Sequence, residues 1–578
     1  MGINGDMSTS MAINQPTAGS DAPKPSSYAV LEQAMGTARP VRIVTIGAGA
    51  SGLNVARNVS KYMKNVSLQI YEKNEAVGGT WLENQYPGCA CDIPSHNYQY
   101  SWEPNPRWTS YYSPQPEILA YFQKAAEKHD LLKYVQFRTQ VVDARWDELE
   151  GVWRFQIENS ETGEVFDDYG HYFINASGYL NNWKWPNIDG LNSFGGELLH
   201  SAAWKPETNL DGKRVAVIGY GSSGIQVVTA IQPKVRSLTT FIRGPTWITA
   251  GFGSKYAAPG GLNFDFPAEQ KEKFSDDPDE YLAYRKGVEH ELSCRFKMLH
   301  KDTPEQQAAV KFSTEDMTRR LGKDNPLLET IIPDFAVGCR RPSPGNGYLE
   351  ALRQPNVNVI TGKEISRIEP NGLVLDTGES VEVDVIICAT GFDLSYKPRF
   401  PIVGRNGTTL EDAWKDRPTA YLSLAAADMP NYFMFLGPNA PVGHGSAIPI
   451  IEHLTKYMLK MVHKAQVQRY KSFTPSAQAI AEFLEHADAF LPRMAWASKC
   501  RSWFKNGKET GPVGLYPGSR LHWFHMLKDI RYEDWEWKSL DSNRWAFSGN
   551  GFSVMEGEGR DLTWYFDKPD QEYDELVY

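Results

Sequence analysis

Two stretches of this chain share one design. "VRIVTIGAGASGLNVARNV", from Val41, and "KRVAVIGYGSSGIQVVTAI", from Lys213, each run from a buried-strand pattern into a glycine turn and on into a helix-compatible segment. The turns are Gly47-Ala48-Gly49-Ala50-Ser51-Gly52 and Gly219-Tyr220-Gly221-Ser222-Ser223-Gly224, about 170 residues apart. In such a turn the first glycine permits a tight bend and the second lets the backbone approach a pyrophosphate. The third allows the helix to pack close to the strand. One GxGxxG is a weak signal, but two in strand–turn–helix context are a strong one. They predict an α/β fold with two Rossmann-like dinucleotide-binding domains, whose turn residues, Ser51, Ser222 and Ser223 included, hold two nucleotides.

The two turns lead into different second strands. That of the first unit, "VSLQIYE", ends at Glu72, twenty positions after Gly52, where a carboxylate can hold a ribose hydroxyl of FAD or NAD. The corresponding strand of the second unit, "SLTTFIRG", ends at Arg243, which suits a 2′-phosphate and favours NADPH. After the first unit comes "GGTWLENQYPGCACD", with Gly79, Thr80, Trp81, Tyr86 and Asp92. A pyridine nucleotide does not require this insertion, whereas a flavin needs loops that cover its ring. Asp92, before Ile93-Pro94, stands in an awkward place for a charge without a partner.

Two apolar strands end in small residues, "HYFINASGYL" and "DVIICATGFD", the latter supplying Ala389 and Thr390. Each returns the chain to a nucleotide domain, so the NADP domain is expected to be inserted in the FAD domain and to carry a helical subdomain at 250–335. The expected divisions are a flexible tail at 1–38, FAD-domain segments at 39–180 and 388–578, a linker at 181–210 and the NADP domain at 211–387.

The 578 residues are too many for one core. The net charge of −10 makes nucleic acid and anionic membrane poor partners. Six cysteines without a framework spacing point to a reducing compartment, and the first 38 residues lack a signal-peptide pattern. A cytoplasmic enzyme, monomeric or weakly homo-oligomeric and without a metal site, is expected.

Between the two glycine turns lies "FGGELLHSAAWK", which spells FxGxxxHxxxW through Phe194, Gly196, His200 and Trp204. In this position it resembles the fingerprint of the class-I Baeyer–Villiger monooxygenases. A second pattern of that family, GGxWxxxxYPGxxxD, is met from Gly78 to Asp92. The resemblance covers roughly residues 40 to 520. It implies that NADPH reduces FAD, that O2 then gives a peroxyflavin, and that this inserts one oxygen into a ketone beside its carbonyl, forming an ester or lactone, with sulfides as further substrates. By its similarity to the family's basic pair, "CRRPSPG" makes Arg341 the catalytic arginine, oriented by Asp92, and Arg340 a ligand of NADP. The fingerprint segment becomes a hinge with His200 as its anchor, Trp503 part of a loop closing over NADP, and Asn439, Ala440 and Pro441 a loop beside the substrate. Lys205, Gly244 and Asn439-Ala440 depart from the family pattern.

Other chemistries compete less well. A disulfide reductase needs two cysteines bridging beside the flavin, but Cys89-Ala90-Cys91 in extended backbone points its thiols to opposite faces. A heteroatom-oxidising flavin monooxygenase is the alternative, since the oxygen chemistry overlaps. A non-catalytic flavin redox sensor would need neither Arg341 nor Asp92.

Overall fold

The computed structural model describes residues 28–557, 559–563 and 566. Residues 1–27 of the expected tail lie outside the described residues. Its remainder is not a free tail: the Met35 N–H donates to the Phe552 carbonyl at 2.7 Å, and the Val554 N–H donates back to the Met35 carbonyl at 3.0 Å. This backbone strip joins the two ends of the described chain, and no side-chain pattern announces it.

Two five-stranded parallel sheets organise the chain. The first is ordered Tyr432–Met434, Tyr172–Asn175, Val41–Ile46, Val66–Tyr71 and Val135–Gln136. The second is ordered Val357–Thr361, Ser237–Ile242, Arg214–Ile218, Val385–Cys388 and Glu197–His200. Every strand of the second sheet falls between Asn175 and Tyr432, so the second unit is inserted in the first. The strand that completes the first sheet, Tyr432–Met434, is three residues long, too short for a periodicity to reveal. Part of the expected linker at 181–210 is also strand. Glu197–His200 pairs in parallel with Val385–Cys388 and forms an edge of the second sheet.

The glycine turns fold as their spelling demands, and in the same way. A Cβ on Gly52 would lie 2.0 Å from the Gly47 carbonyl oxygen, and one on Gly224 would lie 2.1 Å from that of Gly219. Gly47 and Gly219 have φ of +95° and +119°, where side chains are strained. Each also abuts a returning strand end, the Ala176 carbonyl in the first unit and the Ala389 carbonyl in the second. That contact, with the positive φ, explains why each turn begins with glycine.

Helices dominate between residues 250 and 335, principally Ala268–Asp276, Pro278–Cys294 and Pro304–Leu321. The last two begin with Pro behind a capping side chain: Asp277 accepts from the Asp279 and Glu280 N–H groups, and Thr303 from that of Gln306. The helix Ala447–Val467 packs on the first-turn helix Ala50–Tyr62, where Asn54 donates to Thr455 at 2.7 Å in the core. No helix among the described residues is long and apolar enough to cross a membrane.

Candidate active site

A cleft of about 2090 Å³ opens at the second glycine turn and runs to the insertion after the first. Among the expected site residues it is lined by Thr80, Trp81, Tyr86 and Asp92 from the insertion. Gly219, Gly221, Ser222, Arg243, Arg340, Arg341, Ala389, Thr390 and Trp503 line it from the second unit and its neighbours. Residues from both nucleotide units thus share one wall system.

At the first turn the surroundings are tight. Glu72 is buried, and its carboxylate accepts from the Ala48 N–H at 2.7 Å and the Asn74 N–H at 2.9 Å. Burial pushes this carboxyl above its ordinary range, opposed by those backbone donors. Gly79, at φ +52°, sits so close to Gly49 that a Cβ on it would lie 2.9 Å from the Gly49 Cα. The insertion therefore covers the first turn, as a loop over a bound flavin must.

Tyr86 and Gly88 lock the same insertion to the second unit. The Tyr86 hydroxyl donates to Gln226 at 2.8 Å, and Gln226 donates to the Ala90 carbonyl at 3.0 Å. Gln226 belongs to the helix Ser222–Ile231 that starts at the second turn. A Cβ on Gly88, at φ +81°, would lie 2.7 Å from the Gln226 carbonyl oxygen. The YPG spelling is thus what docking one nucleotide unit on the other requires. Trp81 donates to the Tyr98 hydroxyl at 3.2 Å and meets its ring edge-on, a contact that fixes the insertion's other aromatic wall.

Where the insertion meets the second unit, Arg341 forms a two-pronged ion pair with Asp92. Nε donates to one carboxylate oxygen at 3.1 Å and Nη2 to the other at 2.9 Å, while the guanidinium lies 5.2 Å from the Phe252 ring centroid. Burial works against the guanidinium charge, and Asp92 more than offsets it, so Arg341 holds its proton more firmly than free arginine. Both partners keep about a quarter of their side chain exposed, which leaves the charge within reach of the cleft. The Tyr179 hydroxyl on the same wall is pushed up to about 12 by burial and stays protonated at neutral pH. Asp92 therefore has the partner that its place in the sequence requires.

The nucleotide side of the cleft is positive. Eight Lys and Arg residues line the cleft as a whole against five acids, in a chain whose net charge is −10. Arg243 ends its strand exposed and without a protein partner among the described residues. A Cβ on Gly221 would meet nothing within 4 Å, so this turn presents bare backbone to the cleft. The Nε–H of Arg340 is buried without a hydrogen-bond partner, beside the Phe335 ring at 5.3 Å. Unsatisfied guanidinium donors, exposed glycine backbone and excess positive charge fit a dinucleotide carrying an extra phosphate.

His200 closes the edge strand behind this turn and is almost fully buried. Its Nδ1 accepts from the Ala202 N–H at 3.1 Å, so Nε2 carries the proton and meets the Thr390 hydroxyl at 3.3 Å. Its ring stacks on Trp183 at 4.5 Å. Burial pushes its pKa down to about 4, which keeps the ring neutral. Thr390 follows Ala389, whose carbonyl abuts Gly219, so the histidine bears on the second turn through Thr390 and Ala389. Gly196 lacks a Cβ because the Phe194 ring and the Asp384 carbonyl occupy that space. Trp204 is half-buried against the main core. None of the four fingerprint residues lines the cleft.

The loop expected beside the substrate sits differently. Asn439 and Ala440 are buried, Asn439 donating to the Leu515 carbonyl at 3.0 Å, and with Pro441 they lie behind the cleft wall. The wall itself is made by Val442, Gly445 and Ala447. The positive φ of Asn439, +63°, turns the chain so that the residues after it face inward.

Several lining residues carry no sequence signal, among them Tyr98 and Tyr179. The six cysteines, which lack a framework spacing, are not all free. Cys339 and Cys500 are joined as a disulfide across 161 positions, with Cα atoms 6.4 Å apart. Their spacing hides the pairing, because only the fold brings the two segments together.

This geometry has close relatives. The FAD-binding monooxygenase tazF of Aspergillus terreus is 42% identical over 536 residues, 92% of this chain and 95% of its own. The chain belongs to the FAD-binding monooxygenases. A Flavin-binding monooxygenase-like family model matches residues 38–257, the span of the first turn, the insertion and the fingerprint. A Baeyer-Villiger monooxygenase of Pseudomonas aeruginosa is 33% identical over 83% of this chain and 88% of its own. Among solved structures, cyclohexanone monooxygenase from Rhodococcus sp. Phi1 bound to NADP+ superposes with a TM-score of 0.75 at 28% identity, covering 87% of this chain and all of that one.

Proposed function

We propose that this monooxygenase is a class-I Baeyer–Villiger enzyme, taking FAD at the first glycine turn and NADPH at the second. The observation that carries the reading is the Arg341–Asp92 pair, set in the same cleft as the second turn, Arg340 and Arg243. Bound FAD, reduced by NADPH, activates O2 and supplies the oxygen that enters a ketone beside its carbonyl to give an ester or lactone.

The chain's own residues do the rest. Arg341 holds a fixed positive charge where negative charge builds up as the carbonyl is attacked, and an arginine keeps that charge when partly desolvated. Asp92 holds the guanidinium plane by two hydrogen bonds, so little reorganisation is needed during the reaction. Arg243 and Arg340 bind phosphate oxygens, and the bare backbone at Gly221 lets the pyrophosphate approach. Glu72 holds the ribose of the flavin nucleotide. Tyr86 and Gln226 keep the two nucleotide units in register while the coenzymes react.

An amine- or sulfide-oxidising enzyme would share the cofactors but would not need a cation paired to a carboxylate at the reacting centre. Feeding the FAD-loaded protein NADPH and 18O2 with cyclic ketones, aryl ketones and a tertiary amine separates the two. Lactone or ester carrying one labelled oxygen is expected; N-oxide with untouched ketones contradicts the proposal.

A further inference from the structure

The disulfide stands at an unusual place in this cleft. Arg340 and Arg341 come directly after Cys339, and Arg501, Ser502 and Trp503 directly after Cys500; all five line the cleft. The bond therefore ties the basic pair to the loop at 498–509, which also lines the cleft. Within that loop the Lys505 side chain is buried, with its ammonium donating to the Ser498 carbonyl and, at 2.8 Å, to the Glu509 carbonyl. The same nitrogen lies 3.8 Å from the Cys339 sulfur. The other four cysteines are free.

We propose that Cys339 and Cys500 form a reversible thiol–disulfide site that sets how tightly the cleft holds its nicotinamide coenzyme. As a disulfide the site docks the 498–509 loop against the basic pair, and as two thiols it releases the loop. This rests on reading the cleft as the NADP site.

The reductant is a dithiol. One of its thiolates attacks the Cys500 sulfur; Cys500 borders the cleft and is 3% exposed, whereas Cys339 is fully buried and lies away from the cleft lining. The sulfur–sulfur bond breaks, and its electron pair leaves on Cys339 as a thiolate beside the Lys505 ammonium. Burial, with Lys301 and Arg340 nearby, pushes that ammonium down to about 8, so it remains charged at neutral pH. A cation there makes Cys339 the better leaving group. The second thiol of the reductant then attacks the mixed disulfide and frees Cys500. The dithiol departs as a disulfide, and the protein gains two electrons and two protons.

A loop already fixed in place loses less freedom when a ligand binds it, so the disulfide form should bind coenzyme more tightly. Linkage makes the effect reciprocal: coenzyme that prefers the disulfide form must protect it from reduction by the same factor.

The test uses FAD-loaded protein in two states, air-oxidised and reduced with dithiothreitol, each titrated with NADP+ by the change in flavin absorbance. Maleimide labelling in denaturant should count four cysteines in the first state and six in the second. We expect NADP+ to bind about tenfold more tightly to the oxidised state, and saturating NADP+ to slow reduction by dithiothreitol. Cys500→Ser should bind like the reduced wild type and ignore dithiothreitol, and Lys505→Gln should slow reduction several-fold. Equal affinities in the two states, or six labels before reduction, overturn the proposal. Absence of NADP+ binding in both states overturns the coenzyme reading itself, and this inference with it.

Discussion

In the first glycine turn, Gly49 lies against Gly79 and a buried carboxylate closes the site; in the second, Gly221 faces an open cleft beside an exposed guanidinium. The internal geometry of the two turns is nearly the same, down to the clash that a Cβ on the third glycine would cause. Their surroundings decide what each is for. A turn covered by its own insertion suits a nucleotide that stays bound through many turnovers. A turn exposed to a positive cleft suits one that arrives, gives up a hydride and leaves. Glu72 and Arg243 sharpen the division, since a carboxylate can accept hydrogen bonds from a ribose and a guanidinium can donate to a phosphate.

The sharpest way to break this comparison is to place the same methyl group in both turns. Gly52→Ala meets the Gly47 carbonyl at 2.0 Å, and Gly224→Ala meets that of Gly219 at 2.1 Å. Overpacking of this kind costs ~1–3 kcal/mol at either position. The functional losses should differ: Gly52→Ala is expected to purify without flavin, and Gly224→Ala to stay yellow yet resist bleaching by NADPH. Flavin-to-protein absorbance ratios check both, and loss of flavin in both variants would contradict separate roles.

Arg243→Ala addresses the phosphate side with a smaller effect. Hydrogen bonds to a charged group are worth ~1.5–3 kcal/mol, or roughly 10–100-fold in binding. The KM for NADPH should rise by about that factor while the KM for NADH changes little. Equal changes would remove the 2′-phosphate role.

The smallest effect concerns the edge strand behind the second turn. The unfolded chain binds a proton on His200 near its ordinary pKa of 6.5, whereas the folded protein refuses it until about 4. Its contribution to stability is therefore complete above pH 6.5 and is lost as the pH falls towards 4. Buried His96 and partly buried His171 and His444 act in the same direction, with pKa values pushed down to about 3, 4 and 3. Replacing His200 by Gln should make the urea midpoint fall less between pH 7 and pH 5 than it does in the wild type. An unchanged slope would mean that His200 titrates normally.

Much of this architecture is legible in the sequence because its physics is local. A glycine turn between a strand and a helix must carry its glycines in fixed order, so both nucleotide units can be located from spelling alone. That Asp92 needs a partner is legible from its place before Ile93-Pro94, whereas Arg341 as that partner is what the family resemblance implies. The parts that are not legible depend on distance in the chain. Tyr432–Met434 and Glu197–His200 are too short to show a period, and each is a strand only because a longer neighbour supplies the pairing. Asn439-Ala440 reads as a loop beside the substrate because nothing local shows that Leu515 will accept its hydrogen bond. The Cys339–Cys500 bond spans 161 residues and leaves no trace in either flanking sequence.

The Arg341–Asp92 pair is central, and one variant tests it directly. Arg341→Ala, loaded with FAD, should still be bleached by NADPH, while its yield of ester from a ketone falls by ~10²–10³, the loss typical of removing one group that stabilises developing negative charge. Parallel measurement of flavin reduction and product formation in a single turnover is decisive. Bleaching without ester is the expected result, and ester at the wild-type yield would contradict it.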